Sequence, residues 1–131
     1  MSIDSIGDFL TIIRNGIALG KPFVVAPSSN IKMNVAQVLQ NEGFIRSFEI
    51  FDQDAAQKKI KIILKYVDGE SVIHEITRRS RPARRYYVNS SNIKPIIGKF
   101  GISILTTNKG IMTDKQAKAL SVGGEVICSV W

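Results

Sequence analysis

Residues 78–85 read Arg-Arg-Ser-Arg-Pro-Ala-Arg-Arg, five arginines in eight positions, and Tyr86 and Tyr87 follow directly. A row of guanidinium groups beside aromatic rings suits a nucleic acid: the cations meet phosphates and the rings stack on bases or sugars. Pro82 keeps the strip from being a helix interior. A solvated strand edge that resists aggregation carries similar charge; the setting in a basic chain favours the nucleic-acid reading. A second stretch is Thr106, Thr107, Asn108, Lys109 and Gly110. Its three short polar side chains can donate and accept at a base edge or a 2′-hydroxyl. Lys109 can meet a phosphate, and Gly110 permits a close approach or a positive φ. The pattern places this loop between a strand and a helix N-terminus, whose free N–H groups add partial positive charge. An ordinary capped loop is built from the same residue types.

Signs of catalysis are few. Neither a G-x-x-x-x-G-K-[ST] phosphate loop nor a G-x-G-x-x-G occurs, and no cofactor motif is present. His74 is the only histidine and Cys128 the only cysteine, which makes a poor basis for a metal site. A lone cysteine forms no internal disulfide and fits a reducing compartment. Cys128 and His74 as nucleophile and base would describe a small cysteine-dependent hydrolase; against this, Cys128 lies in an apolar strand pattern where a small buried residue is expected. Lys and Arg outnumber Asp and Glu by 18 to 11, for a formal charge of +7. That excess points to a polyanionic partner, and leaves a DNA-binding regulator as the other rival. The 131 residues suffice for one domain or two small ones, and the 44% hydrophobic share supports a core. No apolar run approaches the roughly 18 residues of a membrane span, and no signal segment opens the chain. The expectation is a protein used where it is made, with no membrane partner.

The elements that must position these residues follow from periodicity. Ile6, Phe9, Leu10, Ile13 and Ile17 recur at helical spacing. Ser5 with Asp8 has the form of a capping box, and Gly20 ends the helix. Phe23-Val24-Val25 reads as a short strand. Pro27-Ser28-Ser29 caps a second helix with Ile31, Val35, Val38 and Leu39 inward and Gly43 as its stop. Residues 44–51 alternate as a strand, with Phe44, Phe48 and Ile50 on one side, and Asp52-Gln53-Asp54 turns the chain. Ile60, Ile62, Leu64 and Tyr66 alternate with Lys59, Lys61 and Lys65, a half-buried strand with a basic outer face. Val67-Asp68-Gly69-Glu70 marks the boundary. The expected fold is α+β: an α/β N-terminal domain, residues 1–66 in the order α-β-α-β-β, packed on a β-rich C-terminal domain, residues 67–131. The second domain reads as a strand over 72–78, the Arg-rich stretch, Tyr86-Tyr87-Val88, and a short helix over 91–97 limited by Pro95. A strand over 102–105, a helix opened by the Thr113/Gln116 capping-box pattern, the break at Gly123-Gly124 and a strand over 126–130 complete it.

Several of these stretches, in order and almost end to end, resemble the bacterial-type small-subunit ribosomal protein eight family. Leu10-Thr11 and Ile13-Arg14-Asn15-Gly16 resemble its first helix; Pro27-Ser28-Ser29 with Ile31-Lys32 resembles its second helix start. Glu42-Gly43-Phe44-Ile45 and Leu64-Lys65-Tyr66 also fit. Ser80-Arg81-Pro82, with Arg85 and Tyr87, is similar to its central motif. The most specific stretch is residues 101–118, where Thr107, Gly110, Met112-Thr113 and Ala117 fall in register; Gly123-Gly124-Glu125 and Cys128 close the pattern. The resemblance implies an α/β domain packed on a β-rich one. It also implies binding to the central domain of small-subunit rRNA early in assembly, with neighbouring small-subunit ribosomal proteins as further partners. Some members repress translation by binding their own messenger RNA, which adds that RNA as a candidate partner. The implied location is the ribosome, cytoplasmic or organellar.

Under that resemblance the loop matching Thr106, Thr107 and Asn108 is the main base-contacting element, and the tyrosine position matches Tyr87. Departures are visible. Ile12 stands where many members carry Arg and Asn30 where many carry Lys, both weakening phosphate contact by the N-terminal half. Thr106 and Asn108 replace the usual serines, Ala83 a common Gly, and Ser129 a common Tyr; Arg84 is an added cation. The sequence therefore describes a structural RNA-binding protein and not an enzyme. Thr106, Thr107, Asn108, Lys109 and Gly110 would recognise a distorted RNA helix, since a regular A-form major groove is too narrow to read. Arg81, Arg84, Arg85 and Tyr87 would position the backbone, with Arg14 and Lys32 as N-terminal candidates.

Overall fold

A computed structural model describes residues 4–54, 57–93 and 101–131. The chain forms two compact units, Ser5–Ile73 and His74–Trp131, the latter joined by Asp4. Both mix helix with antiparallel sheet, so the fold is α+β.

The first unit opens with α1 (Ser5–Ala18), which buries Phe9, Leu10, Ile13 and Gly16 at helical spacing. β1 (Phe23–Pro27) leads to α2 (Asn30–Asn41), whose first turn is capped by the Ser29 side chain accepting from Lys32 N at 3.3 Å. The inward face of α2 is Lys32, Val35, Ala36, Val38 and Leu39, while Ile31 is 48% exposed. At about 100° per residue the buried arc runs through 32, 35, 36 and 39, which leaves Ile31 at its margin in the first turn and corrects its expected inward place. β2 (Ile45–Asp54) and β3 (Gln57–Leu64) complete a three-stranded antiparallel sheet of order β1-β3-β2. β2 continues through Asp54, which pairs with Gln57, so Asp52-Gln53-Asp54 is strand and not the turn expected there. Ile60, Ile62 and Leu64 of β3 point under the helices and are almost fully buried.

A small hairpin ends this unit: β4 (Tyr66–Val67) pairs with β5 (Glu70–Ser71). Asp68 at φ 52° and Gly69 at φ 78° occupy the two turn positions, both left-handed, as a primed hairpin turn requires. Residues 67–70 thus form a hairpin inside the first unit, and the division between units falls between Ile73 and His74.

The second unit is organised around its last strand. β6 (Ile76–Arg78) and β7 (Tyr87–Val88) lie in succession along one side of β10 (Gly124–Val130), and β8 (Ile102–Thr107) runs along the other. β9 (Gly110–Thr113) pairs outside β8. The strand expected over 72–78 is only Ile76–Arg78. Val72 N donates back to Lys65 O, and the N–H groups of His74 and Glu75 converge on Trp131 O at 2.7 and 2.9 Å, so no ladder extends upstream. The helix expected over 91–97 is a 3-10 turn, Ser90–Asn92, within the described residues; positions 94–97 lie outside them. α3 (Asp114–Ala119) starts with the capping box read from the sequence: Gln116 N donates to Thr113 Oγ1 at 3.2 Å, and Thr113 N donates to Gln116 Oε1 at 3.0 Å. Ala117 packs with Leu105, Met112 and Val126 under this helix.

Candidate nucleic-acid interface

The polar stretch at 106–110 is a hairpin turn. Thr107 pairs with Gly110 and Thr106 with Ile111, so the chain reverses at Asn108 and Lys109. Gly110 sits at φ 112°, where a side chain would be strained. The loop therefore joins two strands. α3 starts at the expected Thr113 cap, but the four-residue strand β9 lies between the loop and that helix N-terminus. Thr107 ties the turn together: its hydroxyl donates to Gly110 O at 2.8 Å and accepts from Lys109 N at 3.1 Å. Asn108 and Lys109 are exposed, and no hydrogen bond among the described residues engages the Asn108 amide.

The Arg-rich strip is a compact turn anchored from below. Arg81 and Arg84 exchange backbone hydrogen bonds at 3.1 and 3.0 Å around Pro82 and Ala83. Their side chains are exposed and make no ion pair among the described residues. Ser80 is fully buried; its hydroxyl donates to Glu125 Oε2 and accepts from Tyr86 N at 3.1 Å. Arg85 reaches the same carboxylate at 3.1 Å. Arg78 points elsewhere, to Asp4 at 3.2 Å and Ile127 O at 2.8 Å, a structural use of charge. Arg79 lies over the Tyr86 ring, 5.4 Å from its centre. Tyr87 is 68% exposed.

β10 brings the two segments together. Glu125 pairs with Tyr87 on one side and Thr106 on the other, and Gly124 pairs with Val88 and Thr107. Tyr87, Glu125 and Thr106 therefore stand in one row on one face, with strands about 4.8 Å apart. Gly124 has no side chain for a packing reason: a Cβ there would collide with Thr106 O, and one on Gly123 with Val88 O. Ser80, Gly123, Gly124 and Glu125 were not candidates on sequence grounds. The signal that could have found the glycines is a Gly-Gly pair at the start of a strand rather than only at the end of a helix.

Arg14 and Lys32 belong to the first unit, on α1 and α2. Arg14 is exposed, 3.5 Å from Thr11 Oγ1. Lys32 is only 5% exposed, and its ammonium donates to Pro27 O at 3.0 Å. Burial lowers its pKa, with Asp8 acting weakly in the opposite direction. His74 is exposed and stacks near Trp131, ring centres 5.5 Å apart, whereas Cys128 is fully buried in β10 opposite Arg78 and Ile104. Burial pushes the Cys128 thiol up to about 12, only partly offset by Arg78, so it is protonated at neutral pH. A protonated, inaccessible thiol with no imidazole beside it is not a nucleophile. No group of three or more metal-ligating side chains occurs among the described residues. None of the described helices is long and apolar enough to cross a membrane.

Comparison with known proteins finds one family over nearly the whole chain. The sequence model of the family described as Ribosomal protein S8 matches residues 4–131. The small ribosomal subunit protein uS8 of Allorhizobium ampelinum is 48% identical over 128 residues, covering 98% of this chain and 97% of that one. Agrobacterium fabrum uS8 is 47% identical over the same span, and Thermodesulfovibrio yellowstonii uS8 is 45% identical over 132 residues, all of both chains.

Proposed function

The chain belongs to the ribosomal protein S8 family, and on that premise we propose that it is a structural component of the small ribosomal subunit that binds the central domain of small-subunit rRNA and helps order it during assembly. It is not an enzyme. Asn108, Lys109 and Thr106 read a distorted RNA helix, with Thr107 and Gly110 setting the shape of the turn that presents them. Tyr87 stacks beside them, and Arg81, Arg84 and Arg85 hold the phosphate backbone. Arg14 provides a peripheral phosphate contact; Lys32, tied to Pro27 O, shapes the α2 start.

The observation that carries this reading is the β10 row, in which Tyr87, Glu125 and Thr106 are neighbours although each lies on a different strand and the three span positions 87 to 125. A base-reading turn and a cationic strip on the two sides of β10 form one surface, which specific recognition of a folded RNA needs. The test is a titration of the full chain against an rRNA central-domain fragment, a scrambled hairpin and duplex DNA. Preference for the rRNA fragment is expected; equal binding to duplex DNA would replace this reading with the DNA-binding one. Crosslinking and sequencing of RNA from cells then locates the helix bound.

A further inference from the structure

The first unit leaves one face of its sheet without a layer of its own. α1 and α2 cover the side carrying Val24, Ala26, Ile60 and Ile62. The opposite side is fixed by strand register in three rows. Phe23 lies beside Ile63 and Ser47, Val25 beside Lys61 and Glu49, and Pro27 beside Lys59 and Phe51. Outward positions on a half-buried antiparallel sheet are ordinarily polar. Here Phe23 is 42% and Val25 39% exposed, and Ile63 and Phe51 add partly exposed apolar surface. Lys61 reaches over the Phe23 ring, its Nζ 4.3 Å from the ring centre. Neither Lys59 nor Lys61 forms an ion pair among the described residues. Lysines hold two of the three outward positions on the central strand, and apolar side chains flank them.

Charge separates the possible occupants. The unit Ser5–Ile73 carries eight Lys and Arg against seven Asp and Glu, whereas His74–Trp131 carries ten against three. A nearly neutral unit with Glu49 on the face is a weak site for a phosphate backbone, which needs unneutralised cations. Exposed apolar side chains with unneutralised cations among them fit a protein segment instead. A second copy of this chain would set Lys59 and Lys61 against their own kind. Size argues the same way: three strands about 4.8 Å apart and five residues long span roughly 10 by 17 Å. That is far below the ~800 Å² per partner of a stable interface between folded proteins, but sufficient for a short segment.

We propose that this face docks a segment of another protein that presents carboxylates interspersed with apolar side chains. The apolar side chains cover Phe23, Val25 and Ile63, and the carboxylates meet Lys59 and Lys61. The proposal concerns the unit that does not carry the β10 row, and it stands independently of the RNA reading.

The test uses the full chain and two fluorescein-labelled peptides, one of Leu and Glu, the other with Lys in place of Glu, followed by anisotropy. The wild-type chain is expected to bind the acidic peptide and not the basic one. Lys61→Glu should weaken the acidic peptide by about tenfold or more and bring in the basic one, because the charge pairing is inverted. Val25→Thr keeps β-branching and removes apolar surface, so it should weaken the acidic peptide without changing the charge preference; it also serves if Lys61→Glu does not melt cooperatively. Both variants should keep wild-type affinity for the rRNA fragment. Failure of the wild type to bind the acidic peptide, equal binding of both peptides, or unchanged binding by the variants overturns the proposal. So does displacement of the acidic peptide by oligouridine, which assigns the face to RNA, or a concentration-dependent dimer that Val25→Thr abolishes, which assigns it to a second copy. A chain that binds the acidic peptide but ignores rRNA leaves this proposal standing and removes the proposed function.

Discussion

The hydroxyl of Thr107 has one proton, and Gly110 O takes it at 2.8 Å; one of its lone pairs accepts Lys109 N. An RNA group can therefore only donate to Thr107, while the neighbouring Asn108 amide offers both a donor and an acceptor. The two substitutions should differ accordingly. Thr107→Val loosens the turn and lowers affinity and thermal stability together. Asn108→Ala should leave the melting temperature nearly unchanged and cost roughly five- to a hundred-fold in affinity for cognate rRNA, the effect of a partner left unpaired. If both variants keep their discrimination between cognate and scrambled RNA, recognition lies elsewhere. Cys128 gives a second prediction at this scale. Its thiol is held neutral in the folded state, a pKa raised above the unfolded value, so its contribution to stability is complete below about pH 9 and is lost as pH rises towards 12. A thiol reagent at mildly alkaline pH should label the protein only after denaturation; rapid labelling of folded protein would restore the cysteine as a chemical candidate. Residue types were readable here and their engagements were not. The arginine strip is evident in sequence, but that Arg78 serves Asp4, Arg85 serves Glu125 and Arg79 lies over Tyr86, while Arg81 and Arg84 make no ion pair or ring contact among the described residues, depends on the folded chain.

Elements were most legible where the signal was local. The Thr113/Gln116 capping box and the first helix's apolar spacing are properties of neighbouring residues, and both are present in the structure. The β8–β9 hairpin was not legible. β9 has four residues, too few to show alternation, so nothing between the loop and the Thr113 cap signalled a strand. Asp68-Gly69 marks a turn without saying what the turn joins, and here it joins β4 to β5. Gly124 shows how an element depends on a contact invisible in sequence: β8 passes so close that a Cβ would meet Thr106 O. Gly124→Ala is expected to push β8 from β10, cost about 1–3 kcal/mol as other overpacked positions do, and lower rRNA affinity by displacing Thr106 from Tyr87. Thr113→Ala, at the far end of β9, should cost about 1 kcal/mol from the lost cap and leave rRNA affinity within a few-fold. Denaturant melts combined with RNA titrations separate the two. Equal effects on RNA would mean that the row is not held by this close approach.

At the scale of the molecule the charge of +7 is unevenly shared, with nearly all of the excess in His74–Trp131. Net charge is available from composition, but its allocation requires knowing which residues each compact unit holds. The allocation has a measurable consequence. Each phosphate neutralised by a protein cation adds roughly −0.7 to −0.9 to the slope of log affinity against log salt. If about four to six cations are engaged, affinity should fall steeply between low and physiological salt. Removing two exposed arginines of the strip by Arg81→Ala with Arg84→Ala should reduce the slope by about 1.4 to 1.8 and weaken cognate and scrambled RNA alike, since phosphate contacts carry little sequence information. Removing two cations from the other unit, Lys59→Thr with Lys61→Thr, should leave the slope unchanged, because that sheet face is assigned to a protein segment. Equal loss of slope in the two double variants would spread the RNA footprint over both units; no loss in either would remove phosphate contact from the arginine strip and leave recognition to the Asn108 turn alone.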